Sequence, residues 1–142
     1  MRKYDGILYA PPAYWKLSEA ARKELCNGCG TGGWKGRLVS DTVFGMCITE
    51  ACDIHDYMYV ASKPNFNDKD SADRTFLNNM VRILNAQKDT LINKILYDFR
   101  LSRIHKYYKA VSMFGGPAFW SSHNISSFQP SGLDIITEKE TA

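Results

Sequence analysis

His55 and Asp56 stand side by side, downstream of a glycine run (Gly28, Gly30, Gly32, Gly33), in the stretch from Cys26 to Tyr59. An imidazole takes a proton from water well when its other nitrogen is held by a carboxylate, which fixes the tautomer and stabilises the imidazolium. Glycine lets a loop curl its carbonyls inward, and a hard cation such as Ca²⁺ takes about six to eight oxygens, many of them carbonyls. Asp56, beside the base but turned from it, is placed to complete such a cage. Base, loop and acid together form the parts of a metal-assisted hydrolytic site. Blander uses exist for each part. A glycine run is commonly a plain turn, and a lone histidine on a helix face is commonly structural. A phosphate cradle is also a use of glycines, but no Lys-Ser/Thr follows them here to open a helix.

The elements that must position these groups are helices. Ser18 can cap a short helix over SEAARKELC, which Asn27-Gly28 ends. The next helix is expected from about Met46 to Val60, with Cys52, His55 and Tyr59 on one face and Asp56 about 100° to the side. A longer helix should begin near Asp70-Ser71 and run to about Gln87, with Phe76, Leu77, Met80, Ile83 and Leu84 as its apolar stripe. Stepping back three residues from Phe76 lands on Asp73, so an acid continues the buried row. Two helices joined by roughly nine loop residues should be antiparallel neighbours, which sets Asp73 across from His55 as the orienting carboxylate. The competing use of Asp73 is a helix-start charge facing the macrodipole.

A third helix fits about Thr90 to Met113, with Leu91, Ile92, Ile95, Leu96, Phe99, Ile104, Tyr107, Tyr108 and Val111 as apolar positions and a stop at Gly115-Gly116-Pro117. Phe119-Trp120 can fold back as a core plug. Residues 1–17 read as an irregular lead-in, residues 37–45 as a loop or short extended piece, and no alternation is strong enough to predict a sheet. The chain is therefore expected to be mainly α, with one domain over 1–120 and a polar, loosely held tail over 121–142.

At 142 residues, 44% hydrophobic and 23% charged, the chain has the length and composition of one globular domain. Its net charge of +3 requires neither nucleic acid nor membrane. The charge is unevenly spread. Seven acids against two bases over 41–73 lie between basic segments, which suits a cation site within a surface favouring anionic partners, or else solvated faces. No run is long enough to span a membrane. Met1-Arg-Lys is followed by Tyr-Asp-Gly and not by an apolar stretch, so no signal peptide is expected.

All four cysteines (Cys26, Cys29, Cys47, Cys52) fall in the focal stretch. They suit disulfides tying the glycine loop to the helix better than a four-thiolate zinc site, because Cys47 and Cys52 on one helix would diverge by about 140°. Disulfides without a signal peptide conflict, and release by lysis or trimming of the chain would reconcile them.

These residues resemble the phospholipase A2 superfamily. Cys29-Gly30-Thr31-Gly32-Gly33 resembles its calcium loop, C-G-x-G-G. Cys52-Asp53-Ile54-His55-Asp56-Tyr57-Met58-Tyr59 resembles its catalytic helix, C-x-x-H-D-x-C-Y. Ala72-Asp73-Arg74 resembles the later segment C-D-R. The resemblance implies a core of two antiparallel helices with a glycine-rich calcium loop. It implies Ca²⁺-dependent hydrolysis of the sn-2 ester of glycerophospholipids at a phospholipid surface, with no cofactor besides calcium. It further implies His55 as the base, oriented by Asp73. Ca²⁺ would be held by Asp56 and the carbonyls of Gly28, Gly30 and Gly32, and the oxyanion by the Gly30 N–H. Tyr59 would hydrogen-bond Asp73, and Cys29 would pair with Cys52.

The match covers roughly Cys26 to Met80. Met58 and Ala72 stand where the family has cysteines, Gly33 to His55 is long, and the interval from His55 to Asp73 leaves no room for a β-wing. The pattern is closer to the pared-down microbial or viral members, including the capsid-borne domains of parvoviruses, and a phage origin would fit. Tyr14, Trp15, Lys16, Arg22, Lys23, Trp34, Lys35 and Arg37 flank the loop and suit a lipid headgroup surface, or else serve as core aromatics and solvated cations. The alternative function is a non-catalytic structural or lipid- or calcium-binding module that keeps the scaffold, for example in a phage particle.

Overall fold

The computed structural model describes residues 6–25, 39–40 and 42–122. Among these, helices α1 (Pro12–Trp15) and α2 (Glu19–Leu25) precede strands β1 (Thr42–Val43) and β2 (Met46–Cys47). Helices α3 (Thr49–Ala61), α4 (Phe66–Asn85), α5 (Leu91–Phe114) and α6 (Gly116–Ser122) follow. The protein is mainly α, as its periodicities imply.

Helix α4 is the central element and packs against both α3 and α5. Its buried row is Lys69, Ala72, Asp73, Phe76, Met80, Ile83 and Leu84. The periodicity of Phe76, Met80, Ile83 and Leu84 is the reason this segment is a helix with one face inward. Ile54, Met58 and Tyr59 of α3, Ile104, Tyr107 and Val111 of α5, and Phe119 and Trp120 of α6 complete the core. Phe119 and Trp120 thus form the plug read from the sequence.

Several boundaries differ from the sequence reading. Met46 and Cys47 form no helical turn but pair as a strand, with Thr42 opposite Cys47 and Val43 opposite Met46. The turn between them places Phe44 (φ 46°) and Gly45 (φ 80°) in the left-handed region, the geometry of a two-residue hairpin whose twist matches its strands. Arg100 holds that turn by donating from Nη2 to the Phe44 carbonyl at 2.8 Å, and the Phe44 ring packs edge-on to Phe99. Tertiary contacts therefore fix a hairpin too short to show alternation.

Helix α4 starts at Phe66, a turn before the expected Asp70, and only Ser62–Asn65 separate it from α3. Asn65 caps it, accepting from the Asp68 amide at 2.8 Å, while Asp68 accepts from the Lys63 amide. Asp73 is then the eighth residue of α4, too deep to serve as a helix-start charge. Asn65→Ala should cost about 1 kcal/mol of unfolding free energy through the lost cap. Urea denaturation with an unchanged m-value is the check, and an unchanged midpoint would show the cap to be dispensable.

The lead-in is not irregular throughout. Pro12 opens α1 at a position where its missing N–H costs nothing, and Tyr14 is fully buried. Of the two uses open to Tyr14, core aromatic and headgroup surface, the structure has the first. Asn79 draws this segment onto α4, exchanging two 2.8 Å hydrogen bonds with the backbone of Tyr9. Along α5 the apolar positions divide. Ile104, Tyr107 and Val111 are buried, whereas Leu91, Ile92, Ile95 and Phe99 are exposed. Among the described residues no helix is long and apolar enough to cross a membrane.

Candidate active site

The spacing on α3 puts Cys52, His55 and Tyr59 on its buried face. The chain reverses through four residues, so α4 returns alongside α3 and brings Asp73 level with His55. His55 Nε2 lies 2.7 Å from Asp73 Oδ1, and the Tyr59 hydroxyl donates to the same oxygen at 2.6 Å. The other oxygen, Oδ2, accepts from the Lys69 ammonium at 2.7 Å. Phe76, one turn further along α4, stacks on the imidazole with centroids 4.8 Å apart, and the Tyr59 ring tilts against it at 4.3 Å. His55 is fully buried and Asp73 is 1% exposed.

The electrostatics follow from this arrangement. Burial pushes the Asp73 carboxyl up, but the hydrogen bond and charge of His55, joined by those of Lys69, outweigh burial and hold it below the ordinary carboxylate range. Asp73 is therefore an anion with acceptors only, so His55 Nε2 carries a hydrogen, and in the neutral form of the ring the lone pair is at Nδ1. The Tyr59 hydroxyl is driven well above its ordinary pKa, first by burial and then by the charge and hydrogen bond of Asp73, with a smaller contribution from Asp56. It remains a donor at every physiological pH. Such a site can accept a proton at Nδ1 and stabilise the resulting cation through Asp73.

Asp56 is 8% exposed and follows His55 on α3, about 100° further round the helix. The loop residues Gly28, Gly30 and Gly32, and Cys29 with its pairing to Cys52, lie outside the described residues. Cys52 itself is buried and disulfide-bonded. Cys47 is an exposed free thiol donating to Thr49 Oγ1 and stands on a strand, not on the helix with Cys52. Among the described residues no three acidic, histidine or cysteine side chains cluster as metal ligands.

Lys69 escaped the sequence reading. Starting α4 at Asp70 placed it in a loop, whereas continuing the buried row back one turn from Asp73 reaches it. Lys69 also donates to the carbonyls of Val111 and Ser112, each at 3.3 Å, and so joins the dyad to the last turn of α5. A cleft of about 630 Å³ between α4, α5 and α6 reaches Lys69 and Asp73, with Phe66, Met113, Phe114 and Trp120 among its walls.

No family model matches the chain, and neither the curated proteins nor the solved structures contain a match. The functional reading therefore rests on the site itself.

Proposed function

We propose that the protein is a Ca²⁺-dependent phospholipase A2-like hydrolase that cleaves the sn-2 ester of glycerophospholipids. The observation that carries this reading is the buried Tyr59–Asp73–His55 array, in which one carboxylate oxygen accepts from both the imidazole and the phenol. His55 Nδ1 takes a proton from water as the water oxygen attacks the ester carbonyl, and the imidazolium then returns that proton to the leaving alcohol. Before the step, Asp73 and Lys69 neutralise one another around a neutral ring. The imidazolium forms together with the oxyanion of the tetrahedral intermediate, so charge separation within the buried site stays local.

Asp56 offers the single hard carboxylate that a loop of carbonyls needs to complete a calcium site. With the carbonyls of Gly28, Gly30 and Gly32 it would hold Ca²⁺, which when bound supplies Lewis-acid polarisation of the ester carbonyl. The Gly30 N–H would share the oxyanion.

Fatty-acid release from phospholipid vesicles, measured with Ca²⁺ and again after chelation, tests the reading. Chelation should lower the rate by about a hundredfold or more, the scale of losing one oxyanion stabiliser. Release that is indifferent to chelator removes calcium from the mechanism. No release in either condition leaves the non-catalytic scaffold, which the full burial of His55 would then explain.

A further inference from the structure

We propose that Lys69 is a positioning residue of the dyad, its ammonium fixing Oδ2 of Asp73 so that Oδ1 alone faces His55 and Tyr59. The proposal rests on the dyad reading above and extends it to a residue that the resemblance does not assign.

The geometry is specific. An ammonium has three protons, and Lys69 places them on three acceptors: Asp73 Oδ2 at 2.7 Å and the carbonyls of Val111 and Ser112 at 3.3 Å. Lys69 and Asp73 are one turn apart on α4, so the helix itself sets their approach. The two carbonyls belong to the last turn of α5, where the macrodipole favours a cation, and the Val111 oxygen accepts from the Gly115 amide at 2.8 Å as well. Asp73 is thereby held from both sides, by two donors on Oδ1 and one on Oδ2.

A purely structural link between α4 and α5 has no need of a charge at this position. Bringing an ammonium to 6% exposure costs solvation and side-chain freedom, and apolar residues of similar volume hold helices together as well or better. What a cation supplies and a methyl group does not is a fixed orientation for a buried carboxylate. Without it Oδ2 would lack its donor, and the carboxylate could turn about its last torsion and loosen its hold on the imidazole.

The experiment compares wild type, Lys69→Met and Lys69→Ala, each confirmed folded by melting temperature. Two quantities are read: kcat and KM for vesicle hydrolysis, and the downfield proton resonance of the His55 Nε2–H. In Lys69→Met, kcat should fall about ten- to a hundredfold while KM stays within about twofold, and the resonance should move or broaden. The cleft reaches Lys69 and Asp73, so ethylammonium added to Lys69→Ala should restore both rate and resonance in part. Wild-type kcat and an unmoved resonance in folded Lys69→Met overturn the proposal. A loss that follows melting temperature alone and resists ethylammonium overturns it too. Should neither neutral variant fold, Lys69→Arg keeps the charge but cannot reproduce the three ammonium contacts. In that variant a moved resonance with a lowered kcat at wild-type melting temperature supports the proposal, and a moved resonance with wild-type kcat overturns it. If the wild type releases no fatty acid, the hydrolase reading falls alone, and the resonance still decides whether Lys69 positions Asp73 against His55.

Discussion

Replacing His55 with Gln is expected to lower fatty-acid release from phospholipid vesicles by about three to four orders of magnitude while leaving a folded protein. The amide of Gln is close to imidazole in length and can keep a donor directed at Asp73, where His55 Nε2 now sits at 2.7 Å. It offers no basic nitrogen in place of Nδ1, so water loses its proton acceptor while the packing beneath it survives. His55→Ala tests the same role less cleanly. It empties a fully buried site stacked on Phe76 and leaves a cavity whose cost falls on folding. Vesicle hydrolysis measured beside circular dichroism separates the two effects. Retention of more than a tenth of the wild-type rate in folded His55→Gln would remove His55 from the chemistry.

Much of this site could be read from residue types and spacing, because helices translate sequence intervals into directions with little ambiguity. Cys52, His55 and Tyr59 share a face because three- and four-residue steps do so on any α-helix. Asp73 joins them because it continues the row of Phe76, Met80 and Ile83, which must face inward. Lys69 belongs to the same row but was cut off by an error of one turn at the start of α4. A charged residue next to Asp70 and Asp68 looks like solvated surface until a buried carboxylate is found to receive it.

The hairpin at Thr42–Cys47 was invisible for another reason. Two paired residues per strand carry no alternation, and Phe44 adopts a positive φ that its residue type disfavours. The contacts that hold it come from Arg100, 56 positions away, and long-range contacts of that kind leave no local pattern. The exposed apolar half of α5 shows the converse limit. Periodicity marks which residues share a face, but not whether another element covers it.

Removing the Asp73 side chain should have the largest effect on stability. Asp73→Ala leaves the Lys69 ammonium buried without its counter-charge, and leaves the Tyr59 hydroxyl and His55 Nε2–H without their common acceptor. Breaking a buried pair from one side costs about 3–5 kcal/mol, which equilibrium denaturation at neutral pH should register. The pH dependence carries the same signature. The folded state holds the Asp73 carboxyl below its ordinary value, so this group contributes stability above the unfolded pKa of about 3.9. That contribution is lost as pH falls through the lower, folded value, where the native carboxylate is finally protonated. Wild-type stability should therefore decline on the acid side of the ordinary carboxylate range, and Asp73→Ala should lack that part of the decline. Replacing both partners with apolar residues, as in Lys69→Met/Asp73→Leu, should recover the part of the lost stability due to the stranded ammonium, while the Tyr59 hydroxyl and His55 Nε2–H still lack their acceptor. Hydrolysis should stay absent in the double variant, because His55 has lost the carboxylate that sets its tautomer and shelters its cation. A double variant as unstable as Asp73→Ala would mean that the array serves the fold, and a double variant that hydrolyses lipid would mean that His55 works without Asp73.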